Sequence, residues 1–502
     1  MAMSTSADTG SSRPSTAAIP ILSPEEQKVR WRAYAIAVAV ASLTILDLAK
    51  INVAIPAISD DLGASATQVQ LLVAGFVLAF GLLLVPSGRI GDLYSRRNMF
   101  LVGLTLFTLS SLAGALSPTI ELLVASRIAQ GFAAGVLMPQ VLGLIQQLFL
   151  GQERGRAFGI FGAVIGLSTA FGPTLGGILV GVGGSSFGWH LLFWMNVPLG
   201  IAAFIGAVRL LPKKQEIPDY VVKDFDVIGT ILLGVTVFSF MLPFVLTTGS
   251  DTDDPARWWW LVVAVVGGVA FGSWEKGYLA RGRVAIIDFT LFQVSSFRNG
   301  VAISSFYFAA LPATFIAQTL WLQNGLGFSP VVAGMVTIPF ALLSALSSWR
   351  SGLVVHRYGR ILVVGGLILV ITGFGSTLVL GYLVPNEWMA WAVAASMAVA
   401  GLGGGAVISP NQTLMLEDIP VREGGLAGSI AQLGQRIGTA IGLAGVLSAL
   451  FYGVSQAGDV VSDEAYLQGF TLAGVSSVAL VIASLVFALL DMSQRKNPVV
   501  RR

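Results

Sequence analysis

The chain has 502 residues, 55% of them hydrophobic and only 11% charged, with a mean hydropathy of +0.81, which excludes an ordinary soluble globule. There is no Cys and there are two distant His, His190 and His356, so thiolate chemistry and His-based metal sites are excluded and no catalytic cluster remains. A pI near 9.1 on so few charges points to basic loops beside a membrane rather than to nucleic acid.

Residues 1–30 are polar and rich in Ser, Ala, Thr and Pro, and read as a disordered tail. They are not a signal peptide, because the apolar run that follows is long enough to span a bilayer and has no small-residue cleavage site. A helix needs about 20 apolar residues to cross a ~30 Å hydrocarbon core. Runs of that kind predict spans over 33–58, 69–87, 99–117, 120–149, 157–182, 189–211, 226–247, 258–275, 299–323, 330–350, 361–384, 388–415, 425–452 and 467–490. Of the 29 Lys and Arg, Lys50, Arg127 and Arg436 fall in span interiors and Arg257 falls on one face; all the others, including Arg209 and Arg350 at span edges, fall on the opposite face. By the positive-inside rule that face is cytoplasmic and holds both termini, and Trp258, Trp259 and Trp260 mark the outer interface.

Charge inside the spans is the sparsest and most informative feature. Away from the span edges, Asp47, Lys50, Arg127 and Arg436 are the four charged residues in the span interiors, and each costs roughly 2.5–3.5 kcal/mol on insertion scales unless something compensates it. Asp47 and Lys50 are three apart and share a helix face. At ~4 Å such a pair attracts by about 1 kcal/mol in water and about 4 kcal/mol at an effective dielectric of 20. Asp47 is thus open to three roles: a structural ion pair, a proton-coupling carboxylate partnered by Lys50 or Arg127, or a substrate contact. Arg127 never deprotonates in practice, so it can tune a carboxylate but not carry the proton. Arg436 lies midway along the thirteenth span, where it can line a cavity or bond a neighbouring helix. Further polar breaks come from Asn52, from Gln318 beside Trp321, and from Asn411 and Gln412; a drug-sized pocket is mostly apolar with a few such groups.

Two loops look like copies of one element. Gly88-Arg-Ile-Gly-Asp92-Leu-Tyr-Ser-Arg96-Arg97 follows span 2, and Gly352-Leu-Val-Val-His356-Arg357-Tyr-Gly359-Arg360 follows span 10. Two related halves with a site at their interface are a common transporter plan. The expected organisation is all-α, with a tail over 1–30, a six-helix half over 31–212, a linker with two inserted helices over 213–298, a second six-helix half over 299–491, and a cytoplasmic tail over 492–502. Span 5 carries Gly162, Gly166, Gly172 and Gly176, whose spacing lets helices approach closely, and Pro173, which removes a backbone donor.

With these motifs the chain resembles the major facilitator superfamily, and within it the fourteen-helix drug:proton antiporters. Gly88, Asp92, Arg96 and Arg97 match that family's gating loop, with Leu93 and Ser95 departing from it. Arg127, Gln130 and Gly131 match its span 4 motif. Gly166, Gly172, Pro173, Gly176 and Gly177 match its antiporter motif. Trp189, Phe193, Asn196, Val197, Pro198 and Gly200 resemble the start of span 6, and Gln323, Gly327, Ser329, Pro330, Ala333 and Gly334 resemble a junction between the ninth and tenth spans. Asp47, Asn52 and Pro56 match span 1, whereas Lys50 stands where an apolar residue is usual.

The resemblance implies fourteen transmembrane helices in two pseudo-symmetric six-helix halves plus two inserted central helices. It implies a monomer of the cytoplasmic membrane that exports small amphipathic or lipophilic molecules in exchange for protons, touching membrane lipids and needing no cofactor beyond the coupling proton. Asp47, Lys50 and Arg127 would couple the proton. The antiporter motif would form an interface that opens and closes as the halves rock. The residue pattern leaves room for a dedicated metabolite or natural-product transporter, with an anionic substrate among the options, and for a non-transporting receptor or lipid-binding protein. Enzymatic activity is not expected. Without a Gly-x-x-x-x-Gly-Lys-Ser/Thr loop, neither is ATP hydrolysis by this chain.

Overall fold

The computed structural model describes residues 23–213, 226–247, 253–283, 285–456 and 463–496. Most of the expected N-terminal tail, together with Arg13, Lys214, Lys223, Asp251, Asp459, Arg501 and Arg502, lies outside the described residues. Among the described residues there is no strand, and fourteen helices are long and apolar enough to cross a membrane. They are α1 (Pro24–Leu62), α2 (Thr67–Leu93), α3 (Arg96–Ala115), α4 (Ile120–Leu148), α5 (Gly151–Gly184), α6 (Phe187–Leu210), α7 (Val227–Val245), α8 (Pro255–Ala280), α9 (Ser295–Gly325), α10 (Pro330–Tyr358), α11 (Arg360–Leu383), α12 (Asn386–Met415), α13 (Val421–Ser455) and α14 (Asp463–Gln494). Each coincides with one expected span.

The ends differ from expectation where polar caps carry a helix past its apolar stretch. Residues 24–30, expected as tail, are the first turns of α1. Ser23 and Glu26 form a capping box, and Arg30 pairs with Glu153 at 2.6 Å. The far tail likewise starts late: the last helix continues to Lys496, and Asp491 near its end is held by Arg360. Between α5 and α6 the chain turns at Gly184, whose φ of 75° is left-handed backbone that only Gly adopts without strain.

The packing repeats itself. α1 packs on α5, α2 on α4 and α3 on α4; in the same way α9 packs on α13, α10 on α12 and α11 on α12. Each helix of the first half thus has its counterpart eight helices later, which is the two-half architecture with a pair inserted between. The inserted helices α7 and α8 pack on each other, and α7 rests on α2 and α13, touching both halves. Across the halves the same symmetry pairs α5 with α10 and α2 with α13.

Three apolar clusters fill the bundle. The largest joins the two halves, bringing Met415, Leu416, Ile419, Leu426 and Ile430 against Leu142, Ile145 and Phe149. A second is confined to α9–α14, and a third, around Trp189 and Phe193, is confined to the first half. The core between halves therefore lies at the end that carries the Gly88–Arg97 turn.

Candidate functional site

At that end the two halves are held by a latch. Asp92, the last-turn carboxylate of α2, accepts from the backbone N–H groups of Gly425 (3.1 Å) and Leu426 (2.7 Å) at the start of α13. These donors have no partner inside their own helix, and the helix dipole favours an anion there. Arg96 clamps the same carboxylate at 2.7 Å and donates to the carbonyls of Gly143 (2.9 Å) and Val421 (2.6 Å). Arg97 donates to the Val208 carbonyl near the end of α6, which makes it a helix C-terminal cap. A Cβ at Gly88 would lie 2.8 Å from the Gly425 carbonyl oxygen, so only Gly lets α2 and α13 meet here. Gln146 and Arg154 both donate to the Leu416 carbonyl, at 3.3 and 3.4 Å.

The symmetric contact has no charge. Gly155 and Gly159 of α5 pack directly on Gly352 of α10, and Ser348 Oγ donates to the Gly159 carbonyl at 3.2 Å. Along α5 the contact with α10 fades: a Cβ at Gly166 would be 4.0 Å from Ser344 Oγ. Farther on, Gly176 and Gly177 face α1 instead, with a Cβ at Gly176 only 2.7 Å from the Lys50 carbonyl oxygen and one at Gly177 3.8 Å from Val53. Gly172 likewise abuts Ala49, while Pro173 is exposed. Three of the four antiporter-motif glycines, Gly172, Gly176 and Gly177, thus seat α1 within the first half in this conformation, while Gly166 still faces α10. Gly155, Gly159 and Gly162, one to three turns earlier, make the contact between halves. The molecule is closed at the latch end, and the far part of α5 mixes buried positions such as Gly172 and Gly176 with exposed ones such as Phe171, Pro173 and Ile178.

Between these ends lies a buried charge cluster. Asp47 Oδ2 takes Arg127 Nη1 at 2.5 Å, while its Oδ1 takes Lys50 Nζ at 3.2 Å and Asn196 Nδ2 at 2.7 Å. Lys50 Nζ also donates to the Leu192 carbonyl (2.5 Å) and to Asn196 Oδ1 (2.8 Å). Gln130 accepts from Arg127 at 2.6 Å and donates to Ser111 at 2.8 Å, and Ser111 also takes Asn196 Nδ2. All six side chains are buried. Burying three ions is tolerable only with dense pairing of this kind; Arg127 makes its bonds through Nη1 while its Nε and Nη2 are buried without a partner, and the cluster carries one net positive charge. The expected trio of Asp47, Lys50 and Arg127 is thus brought together. Sequence reasoning did not place Asn196 in the site; its signal was the amide in the apolar start of α6.

Arg436 extends the array from the other half. Its guanidinium stands 4.6 Å over the Phe80 ring; Phe80 meets Phe76 edge-on at 6.1 Å; and Phe76 lies 4.3 Å beneath the Arg127 guanidinium. Two rings on α2 therefore sit between a cation of the second half and the charge cluster of the first.

The other expected cavity residues separate. Asn52 is exposed on α1. Gln318 is buried with both amide atoms unpartnered, and Gln412 is buried with a free Oε1. Trp321 is stacked on Phe470 at 4.5 Å and also lies against Gly381, inside the second half. Asn411 is likewise a strut: it donates to the Gly300 carbonyl at 2.8 Å and accepts from Arg360, which also grips Asp491.

Sequence reasoning counted four charges inside spans, but burial within the protein reaches further. Asp92, Arg96, Arg360 and Asp491 are buried near span ends, and so are Asp226 and Glu275 of the inserted region. Asp226 accepts from Trp274 Nε1 at 2.8 Å and caps α7 at Gly229. Glu275 Oε1 takes the Ile286 N–H at 3.3 Å, and its Oε2 has no partner. Both had been placed at span edges, where a charge needs no explanation.

The sequence profile of the Major Facilitator Superfamily matches residues 37–443. The chain belongs to the major facilitator superfamily. It is 34% identical over 441 residues to a probable actinorhodin transporter of Streptomyces coelicolor, covering 87% of this chain and 75% of that protein. It is 30% identical to a tetracenomycin C resistance and export protein of Streptomyces glaucescens, covering 86% and 77%. It is 29% identical to the multidrug resistance protein Stp of Mycobacterium tuberculosis strain CDC 1551 / Oshkosh, covering 80% and 72%. The fold matches the structure of the proton:xylose symporter XylE with a TM-score of 0.62 at 16% identity, over 91% of this chain and 95% of that one. It also matches an outward-facing bacterial homologue of the iron transporter ferroportin with a TM-score of 0.60 at 13% identity, over 93% and 99%. As a member of this superfamily the chain is a multi-pass membrane transporter, and it is not an enzyme.

Proposed function

We propose that this transporter exports small amphipathic or lipophilic molecules in exchange for protons, by alternating access across the cytoplasmic membrane. The observation that carries the reading is the placement of the Asp47–Lys50–Arg127 cluster and Arg436 between a latched end and one where the glycines of α5 meet α1 instead of α10. The latched end holds almost all the basic loops, so it faces the cytoplasm with both termini. The conformation is then the one that faces outward. The units run over 31–212, 213–298 and 299–491, with the chain acting as a monomer among lipids.

In this cycle Asp47 is the coupling carboxylate. Facing outward, both its oxygens are engaged by cations and an amide. A proton competes with Lys50 and Arg127 for those oxygens, so protonation loosens the cluster and the seat of α1 on α5. A ligand or proton that binds the two conformations unequally shifts their populations by that difference alone. An inward proton gains about 2.3 kcal/mol per 100 mV. Similarity to a probable actinorhodin transporter and to a tetracenomycin C resistance and export protein favours a second, narrower reading, a dedicated natural-product exporter.

The test is transport in proteoliposomes under an imposed pH gradient, with wild type against Asp47→Asn. Wild type should accumulate substrate and move protons on its addition, and the variant should do neither. A variant that still concentrates substrate removes Asp47 from the coupling role. A wild type that binds substrate with no flux of either species leaves a receptor.

A further inference from the structure

We infer that Arg436 is the anchor for an acidic group on the substrate, and that the preferred cargo is an aromatic or amphipathic anion. This rests on the export reading and names its substrate class.

Arg436 differs from the four cations that are buried beside a carboxylate; Arg89 at the latch end, buried with its Nε unpartnered, is the parallel case. Lys50 and Arg127 share Asp47; Arg96 has Asp92; Arg360 has Asp491. Arg436 has no carboxylate and no hydrogen-bond acceptor among the described residues, and its Nε is buried without a partner. Its contact is the Phe80 face. One turn earlier on the same face, Gln432 is buried with its Oε1 also unpartnered. Unmet guanidinium donors inside a membrane protein are costly unless something supplies acceptors.

The position suits a ligand. Arg436 lies about two turns along α13 beyond Ser429, where α2 and α13 close against each other. It is partly exposed rather than sealed, so part of its fork faces open space just past the latch. Phe80 and Phe76 provide an apolar surface beside it. The deep charges Asp47, Lys50, Arg127 and Arg436 sum to two positive, so a bound anion neutralises the site whereas a cation adds to the excess. A planar fork next to aromatic rings matches a carboxylate, sulfonate or phenolate carried on an apolar ring system.

The experiment measures calorimetric binding of three isosteric probes to the purified full-length chain at neutral pH: 2-naphthoate, 2-naphthalenemethanol and 2-naphthylmethylammonium. Wild type should bind the naphthoate about tenfold or more tighter than the alcohol, the value of one charge-assisted pair, and the ammonium weakest. Arg436→Gln should bring naphthoate and alcohol to within about twofold, and Arg436→Lys should keep part of the preference, since it keeps charge but not the fork. The comparison in wild type stands even if the Gln variant does not fold. Equal binding of naphthoate and alcohol by wild type, tighter binding of the ammonium, or an undiminished preference in folded Arg436→Gln overturns the inference. Transport of the same probes separates the two levels. If only the neutral or cationic probe is bound and exported, the anion inference falls and the export reading survives. If naphthoate is bound through Arg436 but never moved, the export reading falls and the anion site survives.

Discussion

Replacing Asp92 with Asn tests the latch directly. The carboxylate accepts two N–H donors of α13, at 3.1 and 2.7 Å, and pairs with Arg96 at 2.7 Å. Hydrogen bonds to a charged group contribute about 1.5–3 kcal/mol each, and a carboxylate at a partly buried helix N-terminus up to about 2 kcal/mol. An Asn keeps one acceptor oxygen, so the loss falls short of the sum. We take about 3 kcal/mol, which is about a hundredfold in a two-state equilibrium. Since the Gly425–Leu426 contact exists only when the latch end is shut, that loss falls on the closed state. The chain has no Cys, so spin labels at Asn98→Cys and Arg422→Cys, one in each half, report the latch end by pulsed dipolar spectroscopy. Wild type should give a short, narrow distance and Asp92→Asn a longer population that dominates. If the variant keeps the wild-type distribution, Asp92 is not holding the halves together and the closure rests on the glycine contacts alone.

Gly352→Val should open the same label pair, because its Cβ would lie 2.6 Å from the Gly155 carbonyl oxygen; an unchanged distance would mean that α5 and α10 can part there without cost. Asp47→Asn leaves Lys50 and Arg127 buried with no counter-charge, and should cost about 3–5 kcal/mol. Adding Lys50→Met should recover much of that loss in thermal unfolding, and no recovery would show that the cluster is not one electrostatic unit. Arg360→Gln and Asp491→Asn should each lower the melting temperature, with a double variant well short of additive; additivity would deny their buried pairing. Glu275→Gln should leave stability unchanged or raised, because its carboxylate meets no cation at ion-pair distance among the described residues and one of its oxygens has no partner. A marked loss in melting temperature would show that it has a partner the geometry lacks.

The membrane architecture was legible because each span needs only length and hydrophobicity, and because basic residues mark one face. Asp47 and Lys50 were legible as a pair from their spacing. That Arg127 completes the trio was visible as an option, since one carboxylate among several deep cations restricts the pairings. The contacts that Trp321 and Asn411 make inside the second half were not legible. An aromatic or amide inside a span looks the same in sequence whether it faces a cavity or a neighbouring helix, and only the Phe470 stack and the Arg360 contact decide it. Nor was the direction in which each glycine faces. Gly155, Gly159, Gly166, Gly172 and Gly176 share one helix, yet the earlier ones meet α10 and the later ones α1, because α5 crosses from one neighbour to the other along its length. Asp226 and Glu275 were missed because burial at a span edge comes from packing against the inserted helices, which hydropathy does not register.

The two copies of the glycine loop have diverged in a way that makes the closed end one-sided. Gly88 and Gly352 hold corresponding places, each pressed on a helix of the other half. Four residues on, the first copy has Asp92 on the N-terminus of α13. The second has His356, which is exposed, and α5, the helix its half packs against, begins without a side-chain cap. A His in the place of Asp cannot satisfy a helix N-terminus as an anion does. Ionic strain or protonation of the latch must therefore act through α2 and α13. The same two helices carry Phe76, Phe80 and Arg436, with Arg127 on α4 beneath them. When α13 leaves α2, Arg436 must leave Phe80, and the ring pair beside Arg127 loses its outer cover. The latch, the lone cation and the Asp47 cluster thus lie along one mechanical line. A substrate acid on Arg436 and a proton on Asp47 would each bias the same movement from opposite ends of the ring pair.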